Sequence, residues 1–144
     1  MTAGLTPTET TLVGPGDDPA VVAVSDGRRV ASTDLLVENR HFRRDWSSAN
    51  DVGRKAAAKN FADIAAMGAV PTALLVGFAT PPETELSWVE GLMAGLREEC
   101  GEVGAAVVGG DVVAADVITL GVTALGDLQG RAPVLLGGAR QGDV

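Results

Sequence analysis

Nineteen glycines and seven prolines cut this 144-residue chain into short elements, and that punctuation constrains the fold more than any other feature. Glycine loses the most backbone freedom on ordering and proline cannot donate to a ladder, so helices and strands must fit between them. The length suits one domain, which would bury ~70% of its unfolded surface. With three Phe, two Trp and no Tyr, the core must be built from Ala, Val, Leu and Ile.

Two β-rich runs, residues 20–25 (AVVAVS) and 29–33 (RVAST), flank Asp26-Gly27 and are predicted to pair as a hairpin. The polar, basic segment 38–46 (ENRHFRRDW) reads as a loop. Ser48 to Asp51 offers helix-start residues for an Ala-rich helix over residues 52–67, which Gly68 closes and Pro71 bars from continuing. The apolar run 72–79 (TALLVGFA) has the length of a buried strand. A second amphipathic helix, capped at Thr84 or Ser87, runs to about Cys100 with Trp88, Leu92 and Leu96 on one face. Residues 105–108 read as a strand ending at Gly109-Gly110-Asp111, and 116–125 as another, broken by Gly121. The predicted class is α+β, a mostly antiparallel sheet covered on one face by two helices.

Charge narrows the function. Nineteen acidic residues against eleven basic ones give −8, spread along the chain without a basic block. Counterion release from a nucleic acid needs a positive surface, so no nucleic-acid partner is expected. Cys100 is the single cysteine and cannot form an intramolecular disulfide. No basic segment followed by an apolar stretch opens the chain, and the weakly polar run 69–82 is too short and proline-containing to span a bilayer. A cytoplasmic protein with no membrane partner is expected.

Nucleophilic sets are absent from the pattern. His41 is the only histidine, which excludes His-rich zinc sites, and there is no P-loop. Arginine outnumbers lysine nine to two, the lysines being Lys55 and Lys59. What remains is a set of Asp residues beside Gly or hydroxyl residues: Gly16-Asp17-Asp18, Ser32-Thr33-Asp34, Asn60-Phe61-Ala62-Asp63 and Gly109-Gly110-Asp111. Single carboxylates with hydroxyls and waters suit Mg²⁺, and gathered carboxylates need a cation to offset their repulsion. Each has a plainer reading. The first two patterns also make turns, Gly109-Gly110-Asp111 also makes a bulge, and Asp63 has Lys59 at i−4 as a local ion-pair partner.

In order and spacing, GPGDDPAVV, STDLLVENRHF, KNFADIAAMGAVP and VVGGDVV resemble the signature blocks of the thiamine-monophosphate kinase family, from about Gly14 to Arg131. The aminoimidazole ribonucleotide and selenophosphate synthetases share weaker forms of these blocks, and His41-Phe42 favours the kinase. The resemblance implies transfer of the ATP γ-phosphoryl to thiamine phosphate, giving thiamine diphosphate and ADP, with several Mg²⁺ ions. It assigns Asp17, Asp18, Ser32, Thr33, Asp34, Asp63 and Asp111 as metal ligands. It places His41 at the thiamine phosphate site, and Gly110, Asp111 and Arg131 toward ATP. No residue is expected to form a covalent intermediate. Pro19, Ala62 and Val112 depart from the family pattern, the last two each replacing a hydroxyl residue.

The same resemblance implies residues 1–131 as a metal- and ATP-binding domain, with 132–144 leading into a second, α/β domain that the 144 residues do not include. It also implies a homodimer whose sheets close into a barrel. A bare edge strand at 72–79 or 116–125 would be a liability, which points to the same homodimer. Two other readings stay open: another ATP-dependent synthetase of the superfamily, and an inactive dimerisation or nucleotide-binding module.

Overall fold

A computed structural model describes residues 8–13 and 21–142. Six strands and two long helices follow in the order β1 (Thr11–Val13), β2 (Val21–Val22), β3 (Val30–Val37), α1 (Ala49–Ala66), β4 (Val70–Thr80), α2 (Leu86–Val103), β5 (Ala106–Ala114) and β6 (Thr119–Asp127). A short 3₁₀ turn, Leu136–Gly138, comes last.

The architecture is α+β, and the sheet is mixed. Its order is β3-β6-β4-β5, with β3–β6 and β6–β4 antiparallel and β4–β5 parallel. The parallel pair follows from connectivity: an 18-residue helix, α2, carries the chain from the end of β4 back to the start of β5. It follows too that β4 and β6 are interior strands, so the two segments expected as bare edges are both covered. The edges are β3 and β5.

The predicted hairpin does not form. β2 pairs with β1, while β3 pairs along its whole length with β6, from Val30 opposite Gly126 to Val37 opposite Thr119. Asp26-Gly27 makes a local turn instead, in which the Arg28 N–H donates to Asp26 Oδ1 at 3.0 Å and Gly27 takes φ +74°. Favourable turn chemistry was outweighed by an eight-residue ladder to a distant strand. The small ribbon is held to the sheet by Asp127, buried at the end of β6. Its Oδ2 accepts the Ser25 N–H at 2.9 Å, and its Oδ1 accepts the Ser25 hydroxyl and the Gln129 N–H, each at 2.8 Å.

Those bonds make a pH prediction. The Gln129 N–H, then the Ser25 N–H and hydroxyl with the Arg29 charge, hold the Asp127 carboxyl below its ordinary value, against an opposing push from burial. A depressed carboxylate contributes stability that is complete above its unfolded value, roughly pH 4, and is lost as pH falls through the folded one. Asp127→Asn is expected to cost about 2 kcal/mol at neutral pH, because an amide N–H₂ would face donors. Urea unfolding at pH 7 and pH 3 checks this: the gap between variant and parent should narrow at the lower pH.

Helix α1 starts one turn earlier than its apolar period. Ser48 is the N-cap, with a reciprocal capping box to Asp51. It stops where expected: Gly68 is left-handed (φ +75°), its N–H donates to Ala65 O at 2.8 Å, and the Ala69 N–H reaches Ile64 O at 3.2 Å. The cap of α2 differs from expectation. Glu85 holds the N-cap position without a side-chain bond, while Thr84 accepts from the Thr80 hydroxyl at 2.7 Å. Gly121 does not break β6; it lies in mid-ladder between Gly77 and Leu35. Nor does Gly109-Gly110-Asp111 end β5, which continues to Ala114 after a register shift beside Leu74 and Leu75.

Both helices lie on one face of the sheet. Val52, Ala56, Phe61 and Ile64 of α1 and Leu92 and Leu96 of α2 pack with Leu36, Leu74, Val76, Leu120 and Val122 in one core. On the opposite face Ala73, Ala106 and Val108 form a small buried group against Val22 and Leu125. The rest of that face is open, with Leu35 59% and Val113 52% exposed.

Candidate metal and phosphate site

Strand periodicity sorts the Ser32-Thr33-Asp34 block. Leu36 is buried under the helices, so Ser32 and Asp34, four and two residues before it, share the helix-covered side. Thr33 points the other way, where its hydroxyl donates to Val122 O and accepts from the Thr123 hydroxyl, both at 3.1 Å.

Helix α1 brings Lys59 and Asp63, one turn apart, against Ser32 and Asp34. The Ser32 hydroxyl donates to Asp63 Oδ2 at 2.9 Å, and Lys59 Nζ lies 3.0 Å from Asp34 Oδ1. The local Lys59–Asp63 pair expected from their spacing is therefore replaced by two contacts across elements. Asn60, at the same level of the helix, is fully buried and turns inward. Its Nδ2 donates to Ala56 O at 2.9 Å, and its Oδ1 has no hydrogen-bond partner among the described residues.

The other candidates lie apart from this group. Asp111 pairs in register with Gly77 and so shares a row with Gly121 and Leu35 on the open face. There it borders a shallow hollow with Gly77, Ala79 and Thr119. Gly110 sits where a Cβ would meet Val76 O at 2.0 Å, so only glycine fits that position. Arg131 lies beyond the Val30 end of the β3–β6 ladder, its Nε donating to Leu128 O at 3.1 Å. His41 lies beyond the opposite end. Asp17 and Asp18 fall outside the described residues. Among the described residues no three His, Cys, Asp or Glu side chains are grouped so as to hold a metal.

Around His41 the basic loop closes into a hollow of about 440 Å³ with Arg40, Arg43, Trp46 and Lys55 in its wall. His41 Nδ1 accepts the Val37 N–H at 3.0 Å, which fixes the proton of the neutral ring on Nε2, free to donate. Lys55 Nζ donates to the His41 carbonyl. Trp46 is 76% exposed, with the Arg43 guanidinium 4.5 Å above its ring. Asp45 bonds that guanidinium at 2.9 and 2.6 Å and raises its affinity for its proton. Sequence reasoning singled out His41 and missed these neighbours; the signal was the density of arginine in a chain of net charge −8.

The geometry thus gives one oxygen-rich, solvent-reachable group on the helix side and one cationic hollow at a ladder end. A family model described as AIR synthase related protein, N-terminal domain, matches residues 16–128. The chain belongs to this family. It is 53% identical over 135 residues to a thiamine-monophosphate kinase of Mycobacterium tuberculosis, covering 94% of this chain and 40% of that protein. Among solved structures it is similar to thiamine-monophosphate kinase from Stenotrophomonas maltophilia K279a, with a TM-score of 0.72, 32% identity, and coverage of 82% of this chain and 37% of that one. It also matches AaThiL complexed with AMPPCP and TMP, at a TM-score of 0.66 and 32% identity over 68% of this chain and 31% of that one. The chain spans about two fifths of the length of the curated relative. Among the described residues no helix is long and apolar enough to cross a membrane.

Proposed function

We propose that this domain is the metal- and nucleotide-binding part of a thiamine-monophosphate kinase, which moves the γ-phosphoryl of ATP onto thiamine phosphate to give thiamine diphosphate and ADP. The observation that carries the reading is the convergence of Ser32, Asp34 and Asp63 from two elements, at blocks that resemble that family's.

The donor set fits Mg²⁺. Carboxylate and hydroxyl oxygens are hard ligands, water can reach them to complete an octahedron, and an ammonium cation already stands on Asp34. Ser32, Asp34 and Asp63 are the residues to hold an ion here. Asp17 and Asp18 are proposed as further ligands from their block. Thr33 and Asp111, on the opposite face, would serve a separate ion or the nucleotide. When bound, Mg²⁺ neutralises phosphate charge and fixes the orientation of the phosphate chain.

The protein's own share of the work is placement. In-line transfer needs no covalent intermediate, so holding donor and acceptor in line under compensating charge accounts for the rate. The His41 hollow supplies the acceptor side: an Nε2–H donor and the cations of Arg40 and Lys55 suit a phosphate. Gly110 lets a phosphate approach the backbone of β5, and Arg131 offers a planar fork to the nucleotide.

We further propose a cytoplasmic homodimer with no nucleic-acid partner, in which two open sheet faces cover Leu35, Leu75 and Val113. Residues 132–144 would lead from the 1–131 domain to the remaining length seen in relatives. The full-length protein incubated with ATP, Mg²⁺ and thiamine phosphate should yield thiamine diphosphate and ADP in equal amounts. ATP turnover without thiamine diphosphate would refute the reading. The 144 residues alone should turn over slower by on the order of 10²-fold or more, because the relatives' other three fifths would supply the rest of the site.

A further inference from the structure

We propose that Lys59 is a resident counter-cation on Asp34, which a divalent metal must displace in order to bind. This rests on the reading of Asp34 and Asp63 as metal ligands. Asp34 on β3 and Asp63 on α1 lie on adjoining elements, and each carboxylate is compensated by a different group: Asp63 by the Ser32 hydroxyl at 2.9 Å, Asp34 by the Lys59 ammonium at 3.0 Å. Lys59 stands one helical turn from Asp63, where a local pair is the ordinary outcome, yet it crosses to the strand.

The residue type suits a displaceable cation. This chain uses arginine nine times and lysine twice, and a lysine occupies this position. Arginine would clamp the carboxylate with two parallel bonds, whereas an ammonium on a flexible stem holds one oxygen and can swing away. Both partners remain wet, the side chains being 48% and 25% exposed, so the contact is weak enough for a metal to replace. Exposed pairs of this kind shift an equilibrium by up to about fivefold.

The test is Mn²⁺ alone, titrated into the protein and followed by the loss of the free-ion paramagnetic resonance signal, with no turnover required. Lys59→Met should bind Mn²⁺ about three- to fivefold more tightly than the parent, and Lys59→Arg more weakly. Thermal unfolding in chelator should show both variants folded, and Mn²⁺ should raise the midpoint of Lys59→Met the most. If Asp34→Asn weakens Mn²⁺ binding while Lys59→Met binds as the parent does, or less tightly, the counter-cation idea is wrong and the metal reading stands. If Asp34→Asn leaves Mn²⁺ binding unchanged, the metal is not on Asp34 and both fall.

Discussion

Replacing Gly95 with alanine is expected to destabilise the protein by about 3 kcal/mol or more, or to prevent folding, although helix propensity alone favours the change by ~1 kcal/mol. Helices α1 and α2 touch backbone to backbone. A Cβ on Gly95 would lie 2.0 Å from Asn50 O and 2.8 Å from Asn50 C. From the other side, a Cβ on Gly53 would lie 2.2 Å from Leu92 O and 2.9 Å from Leu96 N. No rotamer relieves a Cβ clash with a carbonyl; the helices must move apart, and Leu92, Leu96 and Ala56 would lose their packing. Gly101→Ala, on the exposed final turns of α2 with nothing within 4 Å, is the control. It should stabilise by up to about 1 kcal/mol. Opposite signs for the same chemical change within one helix, read by urea or thermal unfolding, separate close packing from propensity. Equal small gains at both sites would show that the helices do not approach this closely.

Legibility in the sequence divided along the range of the interactions. Features settled within a few residues were readable: the Ser48 to Asp51 start, the stop at Gly68, the apolar 72–79 strand and the buried Leu92 and Leu96. Pairings between distant segments were not. Asp26-Gly27 has the chemistry of a hairpin, but a turn signal cannot reveal that β6, some ninety residues on, offers β3 a longer ladder. Expecting bare edges at the two most apolar strands inverted the physical logic, since such strands pay the least when enclosed on both sides. The candidate site split the same way. Asp34 and Asp63 became candidates through their blocks; that Thr33 faces away from them depends on which parity of β3 the helices cover. Asp111 shows the limit further. Its face depends on a register shift at β5 that no local periodicity announces. Lys59 was seen, but with the wrong partner, because i,i+4 spacing describes an isolated helix and not one lying against a strand.

Asp34→Asn and Asp63→Asn should each weaken Mg²⁺-dependent nucleotide binding at least about tenfold, ~1.4 kcal/mol, while shifting folding stability much less. Both carboxylates are solvent-reachable and, among the described residues, each has a single partner: an exposed lysine for Asp34, a hydroxyl for Asp63. Contacts of that kind contribute up to about 1 kcal/mol to folding. Asparagine keeps the shape and one oxygen while removing the charge, so loss of cation binding is the dominant consequence. Asp127 has the reverse profile: buried and triply bonded, it should cost stability when changed and leave nucleotide binding intact. Calorimetric titration of Mg·ATP beside thermal unfolding, for all three variants, sets these against each other. Should Asp63→Asn lower the unfolding midpoint as far as Asp127→Asn while Mg·ATP binding holds, the carboxylate on α1 is a structural partner of Ser32 and the metal lies elsewhere. Should Asp34 and Asp63 alone carry the binding loss, the edge between β3 and α1 is where this domain meets phosphate.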